Sequence, residues 1–201
     1  MSHFVLSYCR MQKYKKFAET QYFFTFAANI GEYGFIRIVL CNNMAKLCFF
    51  SLASGSSGNC YYLGTSSYGI LIDAGIGVRQ IKKILKEHCI EFEKILAILV
   101  THDHADHIKS VGCLGETLNI PVYATELVHD GIRRSRYVEE VLIQSRRVVE
   151  KEVPFAIRDF KITAFEVPHD SSDNVGYSIE YGDQTFVIVT DVGHITDTVC
   201  K

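Results

Sequence analysis

Three histidines and two aspartates lie within residues 102–107, close behind the apolar run ILAILV. His102, His104, Asp106 and His107 form the pattern H-x-H-x-D-H. Imidazole and carboxylate groups are ligands suited to Zn²⁺, Mn²⁺ or Fe. Packed together without a cation, such groups would repel one another when charged and would be costly to desolvate. The pattern therefore predicts a metal centre rather than a solvated polar loop with incidental histidines.

This short segment could serve two adjacent metal positions. His102 and His104 are two residues apart, so in an extended turn their side chains fall on the same side. Asp106 and His107 follow at the turn into a helix and can reach a neighbouring point. The location suits a functional site, because active sites in α/β sheets lie at the carboxyl ends of strands.

Two later residues that also follow strands could complete the centre. His169 lies in EVPHD, after a strand around residues 165–167, and Asp191 lies in VIVTDVGH, after a strand over residues 186–189. Taken alone, His169 is typical of a turn and Asp191 of a helix cap. Together with the first cluster they are predicted ligands, because a carboxylate can bridge two metals and His169 can complete the first.

The elements around these residues predict an α/β layered domain. Strand-like and amphipathic segments alternate, as in YGILIDAG, VRQIKKILKEH and KILAILV. The segment 54–59, SGSSGN, is expected to be a hairpin turn, although its backbone amides could alternatively face a phosphate. Residues 126–151 are expected to be mostly helical, and residues 155–167 to be one long extended stretch. GYSIEYGDQTFVIVTD is expected to be a hairpin that turns at Gly182 and Asp183.

The composition limits the classes of protein to which the chain could belong. The chain has 201 residues, 48% of them hydrophobic, which is enough for one sizeable core. Its formal charge of −2 offers no global basic field for nucleic acid, so any such contact must be local. No uninterrupted apolar run approaches the roughly 18 residues of a membrane span. The seven cysteines contain no CxxC, which indicates reduced cysteines in a cytoplasmic protein rather than a disulfide framework.

The motifs together resemble the metallo-β-lactamase superfamily, whose members are αββα sandwiches with metals in the cleft between the ends of two sheets. The order of Asp73 in LIDAG, H-x-H-x-D-H at 102–107, His169 and Asp191 carries this resemblance. Four segments narrow it to the YycJ, WalJ or VicX branch: SLASGSSGNCYYLGT, THDHADHIKSVG, VPHDSSDNVGYSIE and VTDVGHIT. Members of that branch are described as bacterial cytoplasmic, exonuclease-like hydrolases acting on double-stranded DNA.

The resemblance implies two divalent metal ions, Zn²⁺ in the first place, with Mn²⁺ or Fe as alternatives. It also implies that Asp73 orients the site through hydrogen bonds and that Asp106 orients the attacking hydroxide as the catalytic residue. The implied ligands are, for the first metal, His102, His104 and His169, for the second metal, Asp106 and His107, and for the bridge, Asp191.

The chain departs from the family pattern at both ends. Residues 1–43 have no counterpart in the family, so they are predicted to be an N-terminal extension outside the domain at 44–201. A start codon assigned too far upstream would explain them. The family supplies one more histidine to the second metal from further downstream, and no histidine follows His194. His194 lies too close to Asp191 to take the place of that downstream histidine. The sandwich is therefore expected to be truncated at its C-terminus.

These expectations predict a metal-dependent hydrolase. Bound Zn²⁺ lowers the pKa of its water to about 7 and so provides a nucleophile for a phosphodiester. DNA is the expected substrate, cleaved by a phosphodiesterase or exonuclease reaction, and no membrane partner is expected. One alternative is a hydrolase of thioesters or other small molecules, because hydroxyacylglutathione hydrolases share H-x-H-x-D-H. Another is an inactive truncated chain that binds at most one metal.

Overall fold

The structure, a computed structural model, describes residues 22–26, 37–42, 45–168 and 170–191. Within these ranges the chain forms two β-sheets. The seven-stranded sheet contains, in spatial order, β2 (Arg37–Asn42), β3 (Ala45–Ala53), β4 (Cys60–Gly64), β5 (Gly69–Ile72), β6 (Ile95–Leu99), β7 (Val122–Ala124) and β8 (Arg146–Val148). The five-stranded sheet contains β1 (Tyr22–Phe26), β12 (Gln184–Val189), β11 (Val175–Tyr181), β10 (Phe160–Glu166) and β9 (Phe155–Ile157).

Helical segments connect the strands of the larger sheet. The α-helices are α1 (Val78–Glu87), α2 (Ala105–Ile108) and α3 (Glu126–Arg134), and they are joined by a 3₁₀ turn (Phe92–Lys94) and a π turn (Cys113–Thr117). None of the helices in the described ranges is long and apolar enough to cross a membrane.

Strand direction brings several strand ends to a common edge. Strands β2 to β5 are antiparallel neighbours, whereas β5 to β8 run parallel. In the smaller sheet β9 to β12 are antiparallel neighbours, and β1 runs parallel to β12. Parallel neighbours end at the same edge, so the loop after β5 meets the loop after β6.

The core has two parts because the larger sheet is covered on both faces. Along β4, Tyr62 packs with the helices, whereas Tyr61 packs between the two sheets, and both are 1% exposed. This alternation follows from the two-residue period of a strand. Ile81 of α1 and Ile108 of α2 lie in the helix-side core. The layers in the described residues are thus helix, sheet and sheet, which confirms the predicted α/β class and gives three of the four layers of the predicted αββα sandwich.

The two predicted hairpins are confirmed. Strands β3 and β4 pair around the turn at 54–59. Strands β11 and β12 pair around Gly182, whose φ of +60° suits a residue without a Cβ.

Two predictions of secondary structure were wrong. Residues 126–151 are helical only as far as Arg134, and the segment then extends into edge strand β8. Residues 155–167 are not one long strand, because the chain reverses after Ile157 and β9 pairs back onto β10. Arg158 has a φ of +55° in this reversal, a conformation that no hydrophobic period reveals.

The segment 1–43, predicted to lie outside the domain, contains two described strands. Strand β1 pairs with β12 at the edge of the smaller sheet, and β2 pairs with β3 at the edge of the larger one. The remaining residues of this segment lie outside the described ranges, and the boundary between residues 43 and 44 stays a prediction.

Candidate metal centre

Asp73 and the predicted ligands among the described residues lie where loops from both sheets meet. Asp73 follows β5, His102 follows β6, and Asp191 follows β12. The backbone amide of Val175, in the smaller sheet, donates to the Thr101 carbonyl at 3.0 Å and joins the two sheets at this edge.

Five of the six predicted ligands form two groups around one shared carboxylate. Ligand atoms of His102, His104 and Asp191 all lie within 4.8 Å of one another. Ligand atoms of Asp106, His107 and Asp191 do the same. Asp191 belongs to both groups, so its carboxylate lies between two positions that could each hold a cation.

The other predicted ligand, His169, lies outside the described residues, as does His194. The loop that follows His169 is nevertheless hydrogen-bonded to the loop that contains His102 and His104. Asp103 accepts hydrogen bonds from the Ser172 hydroxyl at 2.6 Å and from the Ser172 amide at 3.2 Å. Asn174 forms a backbone bridge with His102.

Hydrogen bonds determine which ring nitrogen of His102 can bind a cation. The Thr101 hydroxyl has a single hydrogen and donates it to Asp73 Oδ2 at 2.9 Å. His102 Nδ1 lies 3.0 Å from the same hydroxyl oxygen and must therefore donate in that contact. The lone pair of His102 is thus on Nε2, which lies 3.6 Å from Asp191 Oδ2.

His107 is oriented in the same way, by direct contact with Asp73. Its Nδ1 lies 2.7 Å from Asp73 Oδ2, and both side chains are fully buried. Its Nε2 lies 3.3 Å from Asp191 Oδ2 and 3.8 Å from Asp106 Oδ2. Metal-binding histidines commonly donate their other ring nitrogen to a carboxylate in this way. Asp73 therefore turns both Nε2 atoms towards the acidic side of the site.

The negative charges around His107 favour a cation beside it. Burial alone lowers the pKa of His107, but the charges and hydrogen bonds of Asp73 and Asp191 raise that pKa to about 10. In the opposite sense, the amide nitrogen of Asn59 faces Nε2 at 2.9 Å and opposes a hydrogen there. A metal would supply positive charge and accept the Nε2 lone pair, so the donor set fits a divalent metal such as Zn²⁺.

Two carboxylates of the site stand on strained backbone. Asp73 has a φ of +58° and Asp191 a φ of +39°. The left-handed region costs a residue other than glycine about 1–2 kcal/mol, although aspartate tolerates it better than most. Such strain persists where the surroundings over-determine the conformation, as they do at functional sites.

Sequence reasoning missed two residues that shape this site. Thr101 links Asp73 to His102, and the Thr190 hydroxyl donates to it at 3.0 Å across the two sheets. Asn59 contacts His107 and Asp106. Thr101 could have been suspected from its place directly before H-x-H-x-D-H. No local signal marks Asn59, which looks like an ordinary end of a Gly/Ser turn.

Replacing Thr101 by valine tests the hydroxyl that links Asp73 to His102. The change keeps the shape but leaves buried polar partners unsatisfied, so we expect unfolding free energy to fall by about 1–3 kcal/mol. Metal affinity should fall about 10–100-fold, because His102 is no longer oriented. Calorimetric titration with Zn²⁺ measures this, with Thr163→Val in β10 as the matched control. Unchanged Zn²⁺ affinity in Thr101→Val would show that the hydroxyl does not orient His102 for metal binding.

Comparisons with known proteins agree with this geometry. Residues 68–201 match the family model of the beta-lactamase superfamily domain. The chain is 36% identical over 146 residues to exodeoxyribonuclease WalJ of Streptococcus pneumoniae, covering 73% of this chain and 54% of that protein. It is 29% identical over 151 residues to exodeoxyribonuclease YycJ of Bacillus anthracis, covering 75% and 56%. The chain thus spans about half the length of the curated relatives it matches.

The fold itself is similar to that of solved structures. A subclass B3 metallo-β-lactamase of Bradyrhizobium japonicum superposes with a TM-score of 0.56, covering 68% of this chain and 56% of that one. Sequence identity in this pair is 17%, so the likeness concerns the fold alone.

Proposed function

Because the chain belongs to the beta-lactamase superfamily, we propose that it is a metal-dependent hydrolase that cleaves phosphodiester bonds of DNA as an exonuclease. The observation that carries this proposal is the pair of ligand groups that share Asp191. Two neighbouring cation positions suit phosphodiester hydrolysis, because paired metals can stabilise the attacking and leaving oxygens together.

We assign the ligands by these two groups. His102, His104 and Asp191 would hold the first metal, which His169 would complete, and Asp106, His107 and Asp191 would hold the second. Zn²⁺ suits this mixture of imidazole and carboxylate, and Mn²⁺ or Fe could replace it. When bound, the metals would supply Lewis-acid activation of water and of the phosphate oxygens.

Burial determines from which side substrate and water approach. His102 and His107 are fully buried, whereas the side chains of Asp106 and Asp191 are 30% and 38% exposed. Solvent therefore reaches the site from the side on which Asp106 and Asp191 lie. One oxygen of Asp106 accepts from Asn59, which leaves the other to hydrogen-bond the attacking water and orient it. Asp106 is for this reason our candidate for the catalytic residue.

Charge and position favour an anionic substrate. Two divalent cations would exceed the charge of the three carboxylates Asp73, Asp106 and Asp191, so the loaded site would attract phosphate. Ser56 and Ser57 are exposed in the turn at 54–59, and Asn59 ties that turn to Asp106 through its backbone amide at 2.7 Å. DNA is the choice among phosphodiesters because the two bacterial relatives are named exodeoxyribonucleases.

We also propose that the protein works in the cytoplasm. Cys48, Cys60, Cys89 and Cys113 are free thiols, as expected in a reducing compartment. Burial raises the pKa of the Cys60 thiol far above its usual range, so this cysteine is a core residue and not a nucleophile.

The test is an end-labelled nuclease assay with the full chain. Linear double-stranded DNA labelled at either end is incubated with protein loaded with Zn²⁺ or Mn²⁺, with and without EDTA. We expect release of labelled nucleotides that EDTA abolishes and added metal restores. His104→Ala, which removes one ligand of the first group, serves as the inactive control.

Parallel assays separate the alternatives. Hydrolysis of a thioester without hydrolysis of DNA would overturn the substrate and keep the metallohydrolase. Cleavage of RNA in place of DNA would also overturn the substrate. A protein that binds two metals and hydrolyses none of these would contradict the proposal as a whole.

A further inference from the structure

Asn59 lies inside the candidate metal centre, although it belongs to the turn between β3 and β4. Its side chain is 6% exposed, and its amide nitrogen lies 2.9 Å from His107 Nε2 and 3.1 Å from Asp106 Oδ2. These two atoms lie 3.8 Å apart and belong to the two residues that form the second ligand group with Asp191. The amide of Asn59 therefore holds together the two ligands that the second metal would join.

Hydrogen bonds to the oxygen of the Asn59 side chain set the orientation of its amide. The Asn59 oxygen accepts from the Gly55 amide at 3.0 Å and from the Tyr61 hydroxyl at 3.2 Å. A reversed side chain would place its NH₂ group against these two donors. The nitrogen of Asn59 must consequently face His107 and Asp106.

The hydrogen count shows what changes when a cation arrives. The amide nitrogen carries two hydrogens and has three polar atoms around it, the Gly55 carbonyl oxygen at 3.2 Å, Asp106 Oδ2 and His107 Nε2, the last of which accepts only when it carries no hydrogen. A metal that takes the Nε2 lone pair removes one acceptor. The amide is then left with one acceptor for each hydrogen, so releasing His107 costs it little.

We infer that Asn59 is a positioning residue for the second metal: it keeps His107 Nε2 and the Asp106 carboxylate in place before the metal binds and yields His107 when it does. The inference rests on the proposed function, because it presupposes the two-metal centre. It assigns to the 54–59 turn a role in loading that centre, beyond any contact with substrate.

Metal titration of the full chain tests the inference. Metal-stripped wild type, Asn59→Ala and Tyr61→Phe are titrated with Zn²⁺ against a competing chelator, and each binding step is fitted. We expect Asn59→Ala to weaken the second step about 10–100-fold, as removal of a ligand's hydrogen-bond partner does, and to change the first step less than about threefold. Tyr61→Phe, which removes one of the two hydrogen bonds to the Asn59 oxygen, should weaken the second step less than Asn59→Ala does, because the Gly55 amide still orients the group.

A second variant keeps the inference testable should Asn59→Ala fold poorly. Asn59→Asp keeps the size but replaces the donor with a negatively charged acceptor beside Asp106. It should strengthen the second step, the opposite sign to alanine.

The outcomes separate this inference from the proposed function. Wild type that binds fewer than two equivalents would overturn both. Wild type that binds two, with a second step insensitive to Asn59→Ala and Asn59→Asp, would overturn only the role of Asn59. Equal weakening in Asn59→Ala and Tyr61→Phe would do the same, since it would trace the effect to packing of the turn.

Discussion

Replacing Asp191 by alanine is expected to abolish binding at both metal positions. Asp191 belongs to both ligand groups, and its side chain is 38% exposed, so its loss should leave the fold intact. Elemental analysis of purified protein should show a fall from about two equivalents of metal to less than one. Hydrolysis should fall about 1,000-fold or more, because metal catalysis supplies several kcal/mol and each 1.4 kcal/mol is a factor of ten.

Two further variants test whether the loss of both metal equivalents is specific to Asp191. Asp106→Ala removes a ligand of the second group only, so one equivalent should remain. Asp183→Ala, in the exposed turn between β11 and β12, should keep both equivalents. If Asp191→Ala retained one full equivalent, its carboxylate would serve a single metal and the shared arrangement would be wrong.

Gly75→Ala should separate the loop that contains Asp73 from the loop that contains Asp106. A Cβ at residue 75 would lie 1.6 Å from the Asp106 carbonyl oxygen and 2.3 Å from its carbon. Both atoms are backbone, so no side chain can turn aside and one of the loops must move. Overpacking of this kind costs about 3 kcal/mol. In a chain of this length the melting temperature should fall by roughly 6–12 °C, and metal binding should weaken because Asp106 is displaced.

Gly77 provides the matched control, two residues further along. A Cβ there meets nothing within 4 Å, and its φ of −62° suits alanine. Gly77→Ala should cost less than about 1 kcal/mol, the usual effect of a poor residue at a helix N-cap. Equal melting temperatures for the two variants would show that the Asp73 and Asp106 loops are not packed as closely as described.

Local patterns in the sequence were sufficient for much of the fold. The buried strand β6 was evident as a short, continuous apolar run, and α1 as an amphipathic period. The region after Arg134 was misjudged because mixed polar and apolar residues carry no period there. Strand β8 is specified by pairing with β7, a contact between distant residues that no window of sequence contains.

The candidate ligands could be proposed from the sequence because their residue types are unusual at the ends of strands. H-x-H-x-D-H is a local pattern, and Asp191 follows a strand that was itself predictable. Their roles as ligands remain predictions. His169 was proposed in the same way and lies outside the described residues.

The sequence by itself thus determined which residue types are available for metal chemistry and in what order they follow the strands. Only the tertiary structure decided how their side chains are oriented. The ring nitrogens that His102 and His107 offer depend on Asp73, 28 residues before Thr101 and 34 before His107. Asn59 reaches Asp106 across 47 residues, and Thr190 reaches Thr101 across 89. The physical reason is that hydrogen bonds act over about 3 Å in space, whereas patterns in a sequence report only on neighbours along the chain.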